Sequence, residues 1–197
     1  MEVKNGSIEE RILEASFHVL EKEGKSKTTT RKIAKYANVS EVTLFRKFKN
    51  KKTLLKMTKE YYSTYLIEKL NEIFEYENDT KIEDYLKRVF YDLVNLTETE
   101  LNIIKIGIEE VRNITGENNL FLKITETTLE KLSEFFTIKI ARNEIRDLNP
   151  DILSLNIFSI LFESIILWKV YKKSLQYEID KYISDFLDIF LNGIKVI

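Results

Sequence analysis

The sequence predicts an all-α protein, and two features of its composition support this prediction. One Pro and five Gly among 197 residues argue against a loop-rich or β-rich fold. Long runs of Glu, Lys, Leu and Ile recur at helical spacing, and 44% hydrophobic residues can bury a sizeable core. We therefore expect about nine helices.

Composition also excludes several functional classes. The chain has no Cys and a single His, His18, so a disulfide framework or a Cys/His metal site is excluded, and we predict no metal and no cofactor. It carries no P-loop, GxGxxG or HExxH motif, so we predict no enzyme and no catalytic residue. Without an apolar N-terminal segment, we expect no secretory signal.

The most apolar run, Ile157 to Trp168, is interrupted by Ser159, Glu163 and Ser164. We expect it to be too short and too polar to span a membrane. The default prediction is a soluble cytoplasmic protein.

Positive charge is concentrated in one segment. Residues 27–59 hold eleven Lys or Arg and one acid, Glu41, a net charge of +10 in a chain whose net charge is −1. Residues 1–60 carry +7 and residues 61–197 carry −8. A run of charge is often only a solvated surface, but this segregation favours a basic polyanion-binding module on an acidic body.

Capping residues divide the basic segment and its surroundings into short helices. Ser7 and Glu10 form a capping box that opens the first helix, and Gly24 ends it. Thr29 is predicted to cap the second helix and Ser40 the third.

The predicted third helix has two faces. Leu44 and Phe48, four residues apart, point into the core. Asn38 occupies the sharp turn before it, and Asn tolerates the left-handed region. Exposed Val42 and Phe45 would suit thymine methyl groups on base edges, whereas the alternative places Phe45 in the core.

The fourth helix begins with unusual charges. Asn50 can cap it, yet Lys51 and Lys52 follow at the positive end of the helix dipole. A phosphate at this N-terminus would resolve the conflict. We expect the helix to continue to about residue 76.

Five further helices are predicted, at about 81–94, 100–112, 120–142, 151–172 and 177–194. The last two are rich in apolar residues and suggest a subunit interface, completed as a four-helix bundle by a second copy. The alternative is a pair of core helices in a monomer. The predicted interface residues are Leu155, Phe158, Phe162, Ile166, Ile179, Tyr182, Ile183, Phe186, Leu187 and Phe190.

The N-terminal third of the chain resembles the TetR family of transcriptional regulators. The resemblance lies in a connected series of motifs: RILEA at 11–15, Gly24, TTRKIA at 29–34, ANVS at 37–40, TLFRKF at 43–48 and NKKTLL at 50–55. It implies a helix-turn-helix DNA-binding domain over residues 6–66, with the motif itself at 29–48, and a ligand-binding and dimerisation domain over 67–197.

The resemblance implies that the third helix enters the major groove. The residues expected to contact DNA are Thr29, Thr30, Arg31, Ser40, Glu41, Val42, Thr43, Phe45, Lys47 and Lys51. Three positions depart from the family pattern: Asn38 replaces a Gly, Val42 a small residue and Phe45 a Tyr. Loss of the Tyr hydroxyl should remove one phosphate hydrogen bond.

An effector pocket is likewise a family expectation. Aromatic residues at helical spacing are more often core, and Glu109 and Glu163 in apolar stretches can equally be surface residues. The candidate lining residues are Tyr61, Tyr65, Phe90, Ile104, Glu109, Phe121, Phe135, Phe158, Phe162 and Trp168.

These features predict a dimeric, ligand-responsive DNA-binding regulator. We expect it to repress from a palindromic operator and to be released by a small hydrophobic effector. The alternative is an architectural or cell-division factor of the same fold, with no effector-controlled promoter.

Overall fold

The computed structural model describes residues 6–110, 119–172 and 178–194, and every regular element in those ranges is helical. This confirms the all-α prediction. The helices are α1 (Ile8–Lys27), α2 (Thr30–Tyr36), α3 (Glu41–Phe48), α4 (Lys51–Ile73), α5 (Ile82–Val94), α6 (Glu98–Glu110), α7 (Leu120–Ala141), α8 (Pro150–Ile165), a π-helical turn (Ile166–Val170) and α9 (Ile179–Ile194).

The chain forms two compact units, Met1–Leu66 and Ile67–Ile197. The first contains α1, α2, α3 and most of α4. Its core is one cluster of buried side chains, to which each of these four helices contributes. The cluster consists of Ile12, Leu13, Ala15, Val19, Ile33, Ala34, Ala37, Leu44, Phe48 and Leu54.

Polar caps set the helix boundaries in the first unit, as predicted. The Glu10 amide donates to Ser7 Oγ at 3.2 Å, and the Ser7 amide donates to Glu10 Oε2 at 2.7 Å, completing the capping box. Gly24 has φ of 74° and breaks the helical path, but α1 resumes after it and ends at Lys27 rather than at Gly24 as predicted. The Thr53 amide donates to Asn50 Oδ1 at 2.9 Å at the start of α4.

The second unit is built on the packing of α7 against α8 and of α5 against α9. Its largest fully buried side chains include Tyr85, Phe90, Phe135 and Phe136. The rings of Tyr85 and Phe135 stack with their centroids 3.8 Å apart. These aromatic side chains anchor the interior of the unit.

The C-terminal end of α8 differs from the prediction of one helix over 151–172. The regular α-helix stops at Ile165 and a π-helical turn continues to Val170. The Tyr171 amide donates to the carbonyl of Ile166 at 2.9 Å, five residues earlier, as a π-helix requires.

Together these two elements form a continuous helix, Pro150–Val170, of 21 residues with a mean hydropathy of 1.6 over its most apolar window. By length and composition this helix could cross a membrane, so the expectation, which considered only its central run Ile157 to Trp168, underestimated its length and mean hydropathy. The same properties are also found in core helices of soluble proteins, so they are weak evidence for a span. Only 33% of that window is buried within the described chain, so much of this apolar surface lacks cover.

Candidate nucleic-acid interface

Helix α3 presents two distinct faces. Leu44 and Phe48 are 0% and 1% exposed and fix the helix in the core of the first unit. Val42 and Phe45 are 77% and 42% exposed. Phe45 therefore lies at the surface rather than in the core, and an apolar strip on α3 remains open to solvent.

The turn before α3 is held from two directions. Asn38 adopts φ of 52°, in the left-handed region that Asn tolerates, and the Val39 amide donates to the carbonyl of Ala34 at 3.0 Å. The Arg11 guanidinium of α1 donates to the carbonyls of Ala37 at 2.5 Å and Asn38 at 3.2 Å. The sequence prediction missed this role of Arg11, because nothing in the local pattern pairs it with a turn 26 residues away.

The N-termini of α2 and α3 are joined by a hydrogen bond between two of the predicted DNA-contacting residues. The hydroxyl of Thr30 donates to Glu41 Oε2 at 2.9 Å. Beside it, Ser40 Oγ accepts from the Thr43 amide at 3.0 Å and lies 2.9 Å from the Thr43 hydroxyl. Each of these polar groups therefore has a partner within the chain and is held in a defined position.

Thr29 and Arg31 occupy the beginning of α2. Thr29 Oγ1 accepts from the Lys32 amide at 3.3 Å, which confirms the predicted cap. The Arg31 side chain is exposed. Lys51, predicted to bind phosphate, is half-buried at the first position of α4.

Several cations of the basic segment have acidic partners. Lys47 Nζ lies 2.9 Å from Glu9 Oε1, and Lys32 forms an ion pair with Glu23. Within α4, Lys56 Nζ lies 3.5 Å from Glu60 Oε1. The predicted contact residue Lys47 is thus engaged with a carboxylate of α1.

Lys59 adds to the positive charge of α4. Burial lowers its pKa, and the nearby ammonium of Lys25 lowers that pKa further.

The predicted pocket residues of the second unit fall into two groups. Phe90, Ile104 and Phe135 are 1%, 6% and 0% exposed, as core side chains are. Phe121 and Phe158 flank Phe162, with ring centroids 5.2 and 5.7 Å from it, and all three are half-buried.

The remaining candidates are dispersed. Trp168 lies in the π-helical turn, with its ring edge-on to Tyr182 at 4.8 Å. Tyr61 and Tyr65 belong to the first unit and are 48% and 42% exposed. The side chain of Glu109 lies outside the described residues.

An open cavity of about 850 Å³ lies on the second unit. Its walls combine apolar side chains with three carboxylates, and none of the predicted pocket residues contributes to it. Burial and the Glu134 carboxylate raise the pKa of Tyr76, one of its lining residues. The lining consists of Tyr76, Leu129, Glu130, Ser133, Glu134, Thr137, Ile138 and Asp151.

Glu163 was singled out with Glu109 as an acid within an apolar stretch. Its side chain is exposed, which agrees with the alternative that Glu163 is a surface residue.

The predicted interface residues divide by burial. Ile183 and Leu187 are 0% and 7% exposed within the single chain. They therefore belong to its own core and are not available to a second copy, which corrects their assignment. The others are half-buried or, like Leu155 at 53%, exposed: Leu155, Phe158, Phe162, Ile166, Ile179, Tyr182, Phe186 and Phe190.

Two more exposed apolar residues were missed. Ile152 and Ile189 are 60% and 75% exposed. Ile152 lies three residues before Leu155, and Ile189 lies three residues after Phe186. Each therefore shares a helical face with a predicted interface residue. That spacing was the available signal.

Comparison with known proteins identifies the first unit. Residues 12–57 match the family described as "Bacterial regulatory proteins, tetR family". The chain is 56% identical over 45 residues to the HTH-type transcriptional regulator YvkB of Bacillus subtilis, covering 23% of this chain and 24% of that protein. It is 37% identical over 130 residues to the nucleoid occlusion factor SlmA of Vibrio campbellii, covering 62% of this chain and 65% of that protein.

The fold extends the similarity beyond the first unit. A crystal structure of AibR in complex with isovaleryl coenzyme A and operator DNA matches with a TM-score of 0.62 and 20% identity, covering 94% of this chain and 97% of that one. This structural likeness concerns the fold, whereas the two sequence matches span less than two thirds of the relatives' own lengths. Residues 12–57 therefore carry the domain that characterises the tetR family of bacterial regulatory proteins, and the chain as a whole shares its fold with AibR.

Proposed function

We propose that the chain is a DNA-binding transcriptional regulator in which α3 is the recognition helix. The observation that carries the proposal is the two-faced geometry of α3. Leu44 and Phe48 anchor one face, while Val42 and Phe45 project from the other into a segment with a net charge of +10. An exposed apolar strip among cations suits the major groove, where thymine methyl groups lie between phosphate backbones.

The contacts divide into two kinds. Arg31 at the start of α2 and Lys51 at the start of α4 bind phosphates and set the position of the domain. Val42 and Thr43 on α3 face base edges, where side chains distinguish sequences, and Lys47 faces base edges or the flanking phosphates. The remaining contact residues of this proposal lie at the start of α2 and on α3 with its N-cap: Thr29, Thr30, Ser40, Glu41 and Phe45.

The proposed active form is a homodimer bound to a palindromic operator. Exposed Ile152 and Leu155 on α8 and Ile189 on α9 give each copy an uncovered apolar surface. A second copy would cover it with the same two helices, as isologous interfaces require. Two recognition helices one duplex turn apart would then contact the two halves of a palindrome.

Release by a small hydrophobic effector completes the proposal and makes the protein a repressor. The structure of AibR is described as a complex with both isovaleryl coenzyme A and operator DNA, which supports both kinds of partner for this fold. In this chain the half-buried cluster of Phe121, Phe158 and Phe162 is the apolar surface we assign to the effector. An effector lowers DNA affinity only as far as it binds the released state more tightly.

The similarity to SlmA favours a second candidate. A protein with this DNA-binding unit can act as an architectural or cell-division factor without controlling a promoter. Genome-wide mapping of bound sites separates the two functions, because a regulator occupies a few sites upstream of genes and an architectural factor occupies many dispersed ones.

The phosphate contact of Lys51 gives the first biochemical test. Lys51→Ala should weaken binding to every duplex alike and reduce the slope of log affinity against log salt by about one. The matched control is Lys87→Ala, which removes the same charge from an exposed position on α5. Equal salt slopes for the Lys51 and Lys87 variants in a fluorescence-anisotropy titration would contradict the assignment.

A further inference from the structure

Two lysines of the basic segment are already neutralised by carboxylates from α1. Glu9, in the first turn of α1, holds Lys47 of α3 at 2.9 Å. Glu23, immediately before the break at Gly24, pairs with Lys32 of α2. Acids near the two ends of one helix therefore pair with cations on both helices of the helix-turn-helix motif.

Both ion pairs are accessible to solvent. The side chains of Lys47 and Glu9 are 37% and 55% exposed, and those of Lys32 and Glu23 are 46% and 29% exposed. Exposed pairs of this kind add little to the stability of a fold. Each lysine can therefore exchange its carboxylate for another anion at small cost.

A DNA phosphate that binds Lys47 or Lys32 has to replace the resident carboxylate. The displaced carboxylate remains covalently attached close by, well within the Debye length of about 10 Å at 0.1 M salt. It then repels the phosphate that replaced it. Each pair consequently lowers the affinity of the unit for DNA, whatever the base sequence.

We propose that Glu9 and Glu23 are affinity-limiting residues, built-in counter-ions that a DNA phosphate has to displace from Lys47 and Lys32. The inference rests on the proposed function, since it assumes that the first unit binds DNA. It assigns to α1 a role in setting the strength of non-specific binding, in addition to its packing in the core. Without these acids the basic segment would be retained more strongly on bulk DNA.

Neutralising the acids should tighten DNA binding. One unit charge removed from about 8 Å of a phosphate in water raises affinity about two- to three-fold. We expect this gain from Glu9→Gln and from Glu23→Gln on a duplex of random sequence. The double variant should gain about four- to nine-fold, because the two sites are independent.

The control separates a local effect from a change in net charge. Glu60→Gln removes the same charge from the same unit, but Glu60 pairs with Lys56 one turn away within α4. We expect this variant to keep wild-type affinity. A gain equal to that of Glu9→Gln would reduce the effect to overall charge and overturn the proposal.

A double-mutant cycle tests the displacement itself. In a Lys47→Gln background the Glu9→Gln substitution should tighten binding less than it does in the wild type, since no ammonium remains to be released or to hold a phosphate beside Glu9. An undiminished gain in that background would overturn the proposal. Thermal unfolding by circular dichroism checks that each variant keeps the wild-type fold.

The same titration separates failure of the inference from failure of the proposed function. If the wild-type chain shows no salt-dependent affinity for any duplex, the proposed function fails. If it binds DNA normally while Glu9→Gln and Glu23→Gln behave as wild type, only the role of the two acids is refuted.

Discussion

Two substitutions, at positions 42 and 44, test the roles of the two faces of α3 separately. Leu44→Ala removes a side chain that is 0% exposed in the core of the first unit. Large-to-small changes of this kind cost about 2–5 kcal/mol, from lost transfer free energy and a residual cavity. Because domains are stable by about 5–15 kcal/mol in total, this loss should leave α3 frequently unfolded.

Val42→Ala acts on the opposite face. Val42 is 77% exposed, so its truncation should change the free energy of unfolding by less than about 0.5 kcal/mol. It should nevertheless alter binding, because Val42 is proposed to contact base edges. We expect the largest loss on duplexes with thymine beneath this position.

Hydrogen–deuterium exchange of peptides covering 41–48, combined with fluorescence anisotropy on a set of duplexes, measures both properties. The expected pattern is fast exchange for Leu44→Ala, and wild-type exchange with changed sequence preference for Val42→Ala. Wild-type exchange in the Leu44 variant, or unchanged preference in the Val42 variant, would refute this account of α3.

Three further outcomes are expected. Thr43→Ala should change the preference among related duplexes by about 1–3 kcal/mol, whereas an equal loss on every duplex would make Thr43 a positioning residue only. Asn38→Ala should lower the free energy of unfolding by about 1 kcal/mol at φ of 52°, while Asn38→Gly should be close to neutral; equal melting temperatures would contradict the role of the left-handed turn. Ile189→Glu should produce a monomer by light scattering, whereas Ser184→Glu, about 140° away around α9, should leave the dimer intact. A monomeric wild-type chain at micromolar concentration would contradict the interface.

Local signals made the first unit predictable from sequence. The caps at Ser7, Thr29, Ser40 and Asn50 each depend on one side chain accepting a hydrogen bond from the amide three residues later. The turn at Asn38 depends on the conformational tolerance of a single residue. Such features are written in short stretches of sequence, and the structure confirms each of them.

Features that depend on tertiary packing were not predictable. The pairing of Lys47 with Glu9 joins residues 38 positions apart, so no local pattern reveals it. The π-helical turn at Ile166–Val170 has no breaker residue that would mark it. Ile183 and Leu187 share an apolar stripe with half-buried neighbours, and only the packing of α9 on α5 decides which members of the stripe are buried.

In vitro selection of random duplexes with the full-length chain tests the central claim most directly. If α3 contacts base edges from each copy of a dimer, the selected sequences should be inverted repeats with half-site centres about 10 base pairs, or a multiple of that, apart. The enriched bases should change when Val42 or Thr43 is substituted. Enrichment of a single unrepeated site, or no enrichment at all, would contradict the proposed reading of a palindrome by paired recognition helices.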